Sequence, residues 1–188
     1  MNKVACLTVK MKVRARTAWN SLMQKGFHLY GQSGMSVRQF LVEVVGYDNP
    51  LIDESVRTIF LNSSPVDDLD AVHLKDGDRL ALGSAMPGLV GIVMGRDNPY
   101  KEFRSGIACQ GNDADLIPEN TIRVFIKVFS TLAVDTGEAI LNRGIHVNGE
   151  VLTELLNEQK EHLINDDVLS GFSLDTNGDV RITVEFTE

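Results

Sequence analysis

The stretch LKDGDRLALGSAMPG, residues 74–88, decides how the first half of this chain is interpreted. Its Asp76-Gly77-Asp78 triplet is typical of a turn, because glycine adopts a positive φ at almost no cost. Residues 79–82 follow as a short strand. The strand leads into a short tail made of Ala85, Met86, Pro87 and Gly88. The stretch therefore predicts a turn, a strand and a tail, in that order.

Two strands are predicted near the start of the chain. Residues 5–13 alternate apolar and polar side chains, which is the period of a half-buried strand. Residues 27–30 form a short second strand after a longer connection over residues 15–26, in which Gly26 is the expected turn. We expect the two strands to pair like a hairpin.

A helix and a third strand are predicted next. Ser36 can cap the first turn of the helix, and Gly46 is suited to end it. Apolar residues recur at three- and four-residue steps in between, at Val37, Phe40, Leu41, Val44 and Val45. Residues 56–61 then read as a strand. One amphipathic helix over a small sheet is a stable two-layer arrangement.

The order of strand, strand, helix, strand, turn and strand resembles that of the small sulfur-carrier proteins of molybdopterin and thiamine biosynthesis. The run from Phe60 to Gly88 carries the resemblance, with Leu61-Asn62 after a strand, Leu74 before the Asp-Gly-Asp turn, and the tail at the end. The resemblance covers about half of the chain and implies a ubiquitin-like β-grasp domain. In that family, a free C-terminal Gly-Gly is adenylated and converted to a thiocarboxylate. Here Pro87-Gly88 is followed by a hundred further residues, so the tail chemistry has no free chain end.

The second half of the chain predicts another small α+β unit. The predicted division has three parts: a β-grasp domain at residues 1–95, a connecting segment at 96–118 with a polar linker at 111–115, and a second domain at 119–188. Within the last part, the patterns are those of a strand, a helix and a hairpin, at residues 121–132, 151–163 and 172–188.

Composition and charge restrict the function. The chain has 188 residues, 43% of them hydrophobic, which fits one or two globular domains. The formal net charge of -8 opposes binding to a phosphate backbone. The longest apolar run, residues 88–94, is too short to cross a bilayer. Cys6 and Cys109 indicate neither a disulfide framework nor a zinc site. We expect a cytoplasmic protein that binds no nucleic acid, membrane, metal or cofactor.

Lys10, Lys12 and Arg14 form the candidate partner face. With Arg16, their alternation puts four cations on one side of the first strand, where a carboxylate-rich partner could dock. The alternative interpretation is an ordinary solvated strand face.

Arg96, Tyr100, Lys101 and Arg104 form the candidate anion site. They lie at the junction of the two halves, and clefts between domains commonly hold ligands. The alternative is an ordinary basic helix face. The histidines are dispersed and lack ligand spacing, so each is expected at the surface or at the core edge: His28, His73, His146 and His162. No residue carries the signature of a catalytic nucleophile.

These observations favour a non-catalytic protein-binding or assembly module, which docks on a protein partner or on itself through the sheet face opposite its helix. The alternative is a sulfur-carrier precursor that is cut after Gly88 and recognised by an adenylating enzyme. A third hypothesis is an enzyme with its site around residues 88–106. The sequence does not name the partner, the pathway or the oligomeric state.

Overall fold

Strands from both halves of the sequence join in one eight-stranded sheet. The computed structural model describes residues 5–86, 88–96, 98–111, 120–164 and 178–188. The sheet combines parallel and antiparallel pairs and is packed with helices, which confirms the predicted α+β class. With eight strands, the sheet is larger than the small sheet expected for a β-grasp domain alone.

The bounds of the elements are as follows. The strands are β1 (Ala5–Lys12), β2 (Phe27–Gln32), β3 (Thr58–Leu61), β4 (Ser64–Pro65), β5 (Arg79–Gly83), β6 (Thr121–Phe129), β7 (Ile145–Asn148) and β8 (Asp179–Thr187). The helices are α1 (Arg16–Lys25), α2 (Val37–Phe40, continued by a π-helical turn at Leu41–Val45), α3 (Asn49–Glu54), α4 (Gly88–Met94), α5 (Ser130–Arg143) and α6 (Gly149–Glu158).

The strands lie in the order β1-β8-β7-β2-β6-β5-β3-β4. β1 runs parallel to β8 and β5 runs parallel to β6, whereas the other neighbouring pairs are antiparallel. The predicted hairpin between the first two strands is wrong, because β8 and β7 lie between them. Alternation identifies a strand with one buried face but does not identify its neighbour. The division into domains at residues 1–95 and 119–188 stays a prediction. Strands from both ranges belong to the same sheet.

One face of the sheet is buried under the helices. In β6, the alternate residues Ile122, Val124, Ile126 and Val128 are at most 3% exposed. The same alternation holds in β1, where Val9 and Met11 are 0% exposed. These side chains meet the apolar stripes of α1 and α5 in one continuous core.

The connection predicted over residues 15–26 is wrong, because most of it is helix α1. Trp19, Leu22 and Met23 are its buried residues, and the Trp19 Nε1 donates a hydrogen bond to the Met11 sulfur at 3.1 Å. The helix begins without a side-chain cap, which removes the local signal for a helix start. Packing of its apolar stripe against β6 and α5, together with the contact of Trp19 with Met11 of β1, stabilises the helix instead.

The helix predicted from Ser36 is confirmed. The Ser36 hydroxyl accepts a hydrogen bond from the Gln39 amide, and the Gln39 side chain accepts one from the Ser36 amide, which completes a capping box. Gly46 ends the helix at a φ of 90°. The turn at Gly77 is confirmed as well, with a φ of 81°.

In the second half, the predicted strand at 121–132 ends earlier, at Phe129, where helix α5 begins. Neither α5 nor β7 was predicted. The predicted helix at 151–163 is α6, which ends at Glu158. Of the predicted hairpin, β8 is present and pairs with β1 and β7, whereas residues 172–177 lie outside the described residues. Most of the predicted linker lies outside them too.

The apolar run at residues 88–94 forms the short helix α4. Within the described ranges, no helix has the length and apolar character needed to span a membrane.

Candidate functional site

The second face of the sheet, here called the open face, carries the side chains that alternate with the buried ones. Every charged or aromatic strand residue on this face from β1, β2, β6 and β8 is exposed or half-buried in the described structure. Six cations lie on it: Lys10, Lys12, Arg79, Arg123, Lys127 and Arg181. The carboxylates that β8 adds are Asp179 and Glu185. The open face therefore has an excess of positive charge in a chain whose formal net charge is -8.

A straight row of side chains crosses the open face at its centre. Directly opposed residues on successive strands define the row: Arg181 on β8, His146 on β7, His28 on β2, Phe125 on β6 and Arg79 on β5. Neighbours in such a row are about 5 Å apart and interact directly. The row thus has a cation at each end and two imidazoles and a phenyl ring between them.

Phe125 is the centre of the aromatic contacts in this row. Its ring lies 5.0 Å from the His28 ring, with the Arg79 guanidinium 5.3 Å and the Lys127 ammonium 5.9 Å from its centroid. Both cations are therefore within the range of a cation–π interaction. The ring occupies the space beside Gly26, where an added Cβ would lie 2.2 Å from a ring carbon.

Arg123 connects the row to Asp179. Its Nη2 donates hydrogen bonds to the Asp179 carboxylate and, at 3.2 Å, to the Nδ1 of His28. Since arginine stays protonated, the Nδ1 of His28 must be the acceptor, which fixes the neutral tautomer with its proton on Nε2. Burial and the Arg123 charge lower the pKa of His28 below its ordinary value, with partial opposition from Asp179.

His146 has a similar electrostatic environment. Burial and the neighbouring Arg181 charge lower the pKa of its imidazole below the ordinary value. The Tyr30 ring packs edge-on against it at 4.7 Å. The Nδ1 of His146 and the Nε of Arg123 are buried nitrogens without a hydrogen-bond partner among the described residues. Because both atoms are buried, a bound partner could reach them only after the neighbouring side chains move.

Two depressions flank the Phe125 ring. The larger, of about 630 Å³, lies over β5 and is lined by Phe60, Asn62, Ser63, Arg79, Leu80, Ala81, Phe125 and Lys127. The smaller, of about 220 Å³, lies on the other side of the ring and includes His28 and Asp179 in its lining. Both are shallow surface features that a side chain of a protein partner could fill.

The predicted partner face is divided by the structure. Lys10 and Lys12 lie on the open face, on its edge strand β1, whereas Arg14 follows β1 in a short 3₁₀ turn. The Lys10 ammonium lies 3.7 Å from the Glu185 carboxylate. The Lys12 ammonium donates a hydrogen bond to the Glu161 carbonyl at 3.1 Å. These two lysines form one border of a larger basic surface.

The four residues of the predicted anion site differ in exposure. Arg96 and Arg104 are only 5% and 3% exposed, whereas Tyr100 and Lys101 are exposed. The Arg96 guanidinium donates to the carbonyl oxygens of residues 52 and 56, and that of Arg104 forms a two-point ion pair with Asp67. Both guanidinium groups thus have internal acceptors, which stabilise the packing of this segment.

The tail-like motif is followed by regular structure. Gly88 is the first residue of α4 and has a φ of 78°, while Pro87 lies outside the described residues. Ala85 and Met86 lead into it. The Met86 carbonyl oxygen would be 1.7 Å from a Cβ at Gly91, so the backbone before the helix folds closely against it. Sulfur carriage stays a prediction, and it would require cleavage of this connection.

Sequence reasoning missed the central row. The alternation of β2 and β6 already placed His28 and Phe125 on the faces opposite the apolar residues, but the register that makes them neighbours is not visible in either strand alone. In the described part of the chain, no group of three or more His, Cys, Asp or Glu residues is placed to hold a metal ion. Comparisons with protein-family models, curated proteins and solved structures gave no match to this chain.

Proposed function

We propose that this protein is a non-catalytic binding module that docks an acidic protein surface through its open face. The observation that carries the proposal is the cluster of six cations on that face in a chain of net charge -8. Complementary charge steers a partner to such a face and fixes its orientation. The net charge opposes a nucleic acid as the partner, because the rest of the surface repels phosphates.

The same proposal includes a fold related to the β-grasp domains of sulfur carriers. β2, α2, β3 and β5 follow in the expected order, with α3 between α2 and β3 and the short β4 between β3 and β5. The first strand was expected to pair with β2, but the neighbours of β2 are β6 on one side and β7 on the other. We propose that β6 completes a grasp-like unit and that β1, β7 and β8 extend its sheet. The extension enlarges the face that is available for docking.

Rigid support makes the open face suitable for recognition. The strands that carry its central row have their alternate residues in the core, where Ile126, Val124 and Ile182 are 0% exposed. Side chains on such a sheet are held at fixed spacings, so a partner meets a preformed surface and loses little additional entropy on binding.

Affinity purification with a double charge reversal tests the proposal. The variant R79E/K127E changes two cations of the open face, and K101E is the control because Lys101 is an exposed cation outside the sheet. We expect partners of the wild type to be retained by K101E and lost by the double variant. Cross-links should also map to the lysines of the open face. A partner that binds all three proteins equally, or an inert monomer with no partner, would contradict the proposal.

A further inference from the structure

The depression over β5 has a shape that selects one kind of side chain. Its floor is Ala81, which lies directly opposite Phe60 on β3 and Lys127 on β6. A small residue between two large ones produces a trough, with Phe60 as one wall and Lys127 as the other, while Phe125 lines it farther along β6, opposite Arg79. Since neighbouring strands are about 4.8 Å apart, the walls stand roughly 9 to 10 Å from each other.

This width fits an aromatic ring. A ring placed above Ala81 would lie about 5 Å from the Phe60 wall, which is within the range that aromatic pairs prefer, and about 5 Å from the Lys127 wall on the other side. The trough has a volume of about 630 Å³, so it can hold such a side chain together with the backbone that carries it.

The charges beside the trough select a carboxylate. Arg79 and Lys127 both line it, and in the described structure neither forms an ion pair. The nearby Asp78 carboxylate forms no ion pair with either of them and instead accepts hydrogen bonds from the Asn62 amide at 2.8 Å and the Lys75 backbone at 2.7 Å. Two cations are therefore available at an aromatic-walled trough.

The turn at Asn62 and Ser63, which lines one end of the trough, is rigid. Asn62 and Ser63 have positive φ values of 50° and 73°, and the Asn62 side chain bonds to both Asp78 and the Arg79 amide. Such a turn is held in one conformation by its surroundings.

We infer that the trough binds an extended segment of the partner in which an acidic residue lies two positions from an aromatic one, because side chains two positions apart share one side of an extended segment. The ring packs over Ala81 between Phe60 and Lys127, and the carboxylate pairs with Arg79 and Lys127. This inference rests on the proposed function and adds to it the chemistry of the partner segment.

Peptide binding to the full-length protein tests the inference. The probes are four fluorescein-labelled octapeptides, each two repeats of a tetrapeptide: Glu-Ser-Phe-Ser (the Glu-Phe peptide), Glu-Ser-Ser-Ser (the Glu-Ser peptide), Lys-Ser-Phe-Ser (the Lys-Phe peptide) and Lys-Ser-Ser-Ser (the Lys-Ser peptide). We expect only the Glu-Phe peptide to bind with measurable polarisation, at least about tenfold more tightly than the Glu-Ser peptide, which corresponds to about 1.4 kcal/mol. Equal affinity for the Glu-Phe and Glu-Ser peptides would overturn the aromatic part, and tighter binding of an oligonucleotide would overturn the peptide assignment.

Two variants locate the binding. A81Y fills the trough with a side chain that strands accept well. Q32Y adds the same side chain at an exposed position of β2, outside the trough, and is the matched control. We expect A81Y alone to weaken Glu-Phe binding by about tenfold or more, with unfolding midpoints of both variants near that of the wild type.

The outcomes also separate this inference from the proposed function. If A81Y retains the peptide and the partner while R79E/K127E loses the partner, the open face docks the partner and the trough inference is wrong. If neither variant loses the partner, both are wrong.

Discussion

Cutting the chain after Gly88 should unfold what remains. The cut removes β6, which pairs with six residues of β2 and five of β5. It also removes four core side chains, at Ile122, Val124, Ile126 and Val128, that are at most 3% exposed. Full burial contributes about 1.5 to 3 kcal/mol for each, or roughly 6 to 12 kcal/mol together. That loss is comparable to the roughly 5 to 15 kcal/mol by which whole domains are stable.

The assay compares residues 1–88 with the full chain in urea, followed by circular dichroism and by amide NMR spectra. We expect the full chain to unfold cooperatively and residues 1–88 to show no transition and poor dispersion. As a control, residues 1–88 and 89–188 are expressed together. The pair should recover the transition, because all the strands are then present and only the covalent connection is missing.

A cooperative transition and a dispersed spectrum for residues 1–88 alone would refute this reasoning. It would also make a sulfur-carrier precursor cut after Gly88 a workable hypothesis. The intact mass of the protein from its native source supplies the complementary measurement, since a mass that ends at Gly88 with sulfur replacing one terminal oxygen would identify a carrier.

Three further variants test the open face and the packing around Arg104. G26A should lower the free energy of unfolding by at least about 1 to 2 kcal/mol, because Gly26 has a φ of 112° and an added Cβ meets the Phe125 ring. Thermal unfolding measures the loss of stability, and the NMR signals of the Phe125 ring report its displacement. The free energy of unfolding should fall as the pH drops below about 6.5. His28 and His146 have lowered pKa values in the folded protein, so the unfolded chain takes up protons at a higher pH than the folded one. Urea titrations at several pH values should show a smaller loss of stability for H28Q/H146Q than for the wild type. R104M should lower the free energy of unfolding by about 1 to 3 kcal/mol, because the half-buried Asp67 carboxylate loses its two-point ion pair and the carbonyls of Val93 and Gly95 keep, of the described donors, only the Asn98 amide. An unfolding midpoint equal to that of the wild type would contradict this role.

Local patterns predicted the individual elements better than their arrangement. The capping box at Ser36 and the turn at Gly77 depend on neighbouring residues, so the sequence shows them directly. Helix α1 has no side-chain cap, and α5 begins directly after a strand at Ser130, so their starts lack the signals that sequence reasoning uses.

The central row could be predicted only in part. Strand alternation puts His28, Phe125 and Arg79 on polar faces, but their contact depends on β6 lying between β2 and β5. That placement comes from pairing between residues about a hundred positions apart, which no local pattern encodes. The histidines therefore look dispersed in sequence although two of them are direct neighbours in the sheet.

The parallel pair of β1 and β8 joins the earliest described strand to the last one, with Ala5 opposite Val180. During synthesis, β1 can pair with β8 only after nearly the whole chain has left the ribosome. Likewise, β2 can pair with β6 only after β6 has been synthesised. Folding that depends on such distant contacts is slow and leaves strand edges uncovered meanwhile. Pulse-labelled hydrogen exchange should find the β1 amides protected later than those of α2, and earlier protection of β1 would contradict this order of events. We therefore expect folding of this chain to require chaperones even though the completed sheet is stable.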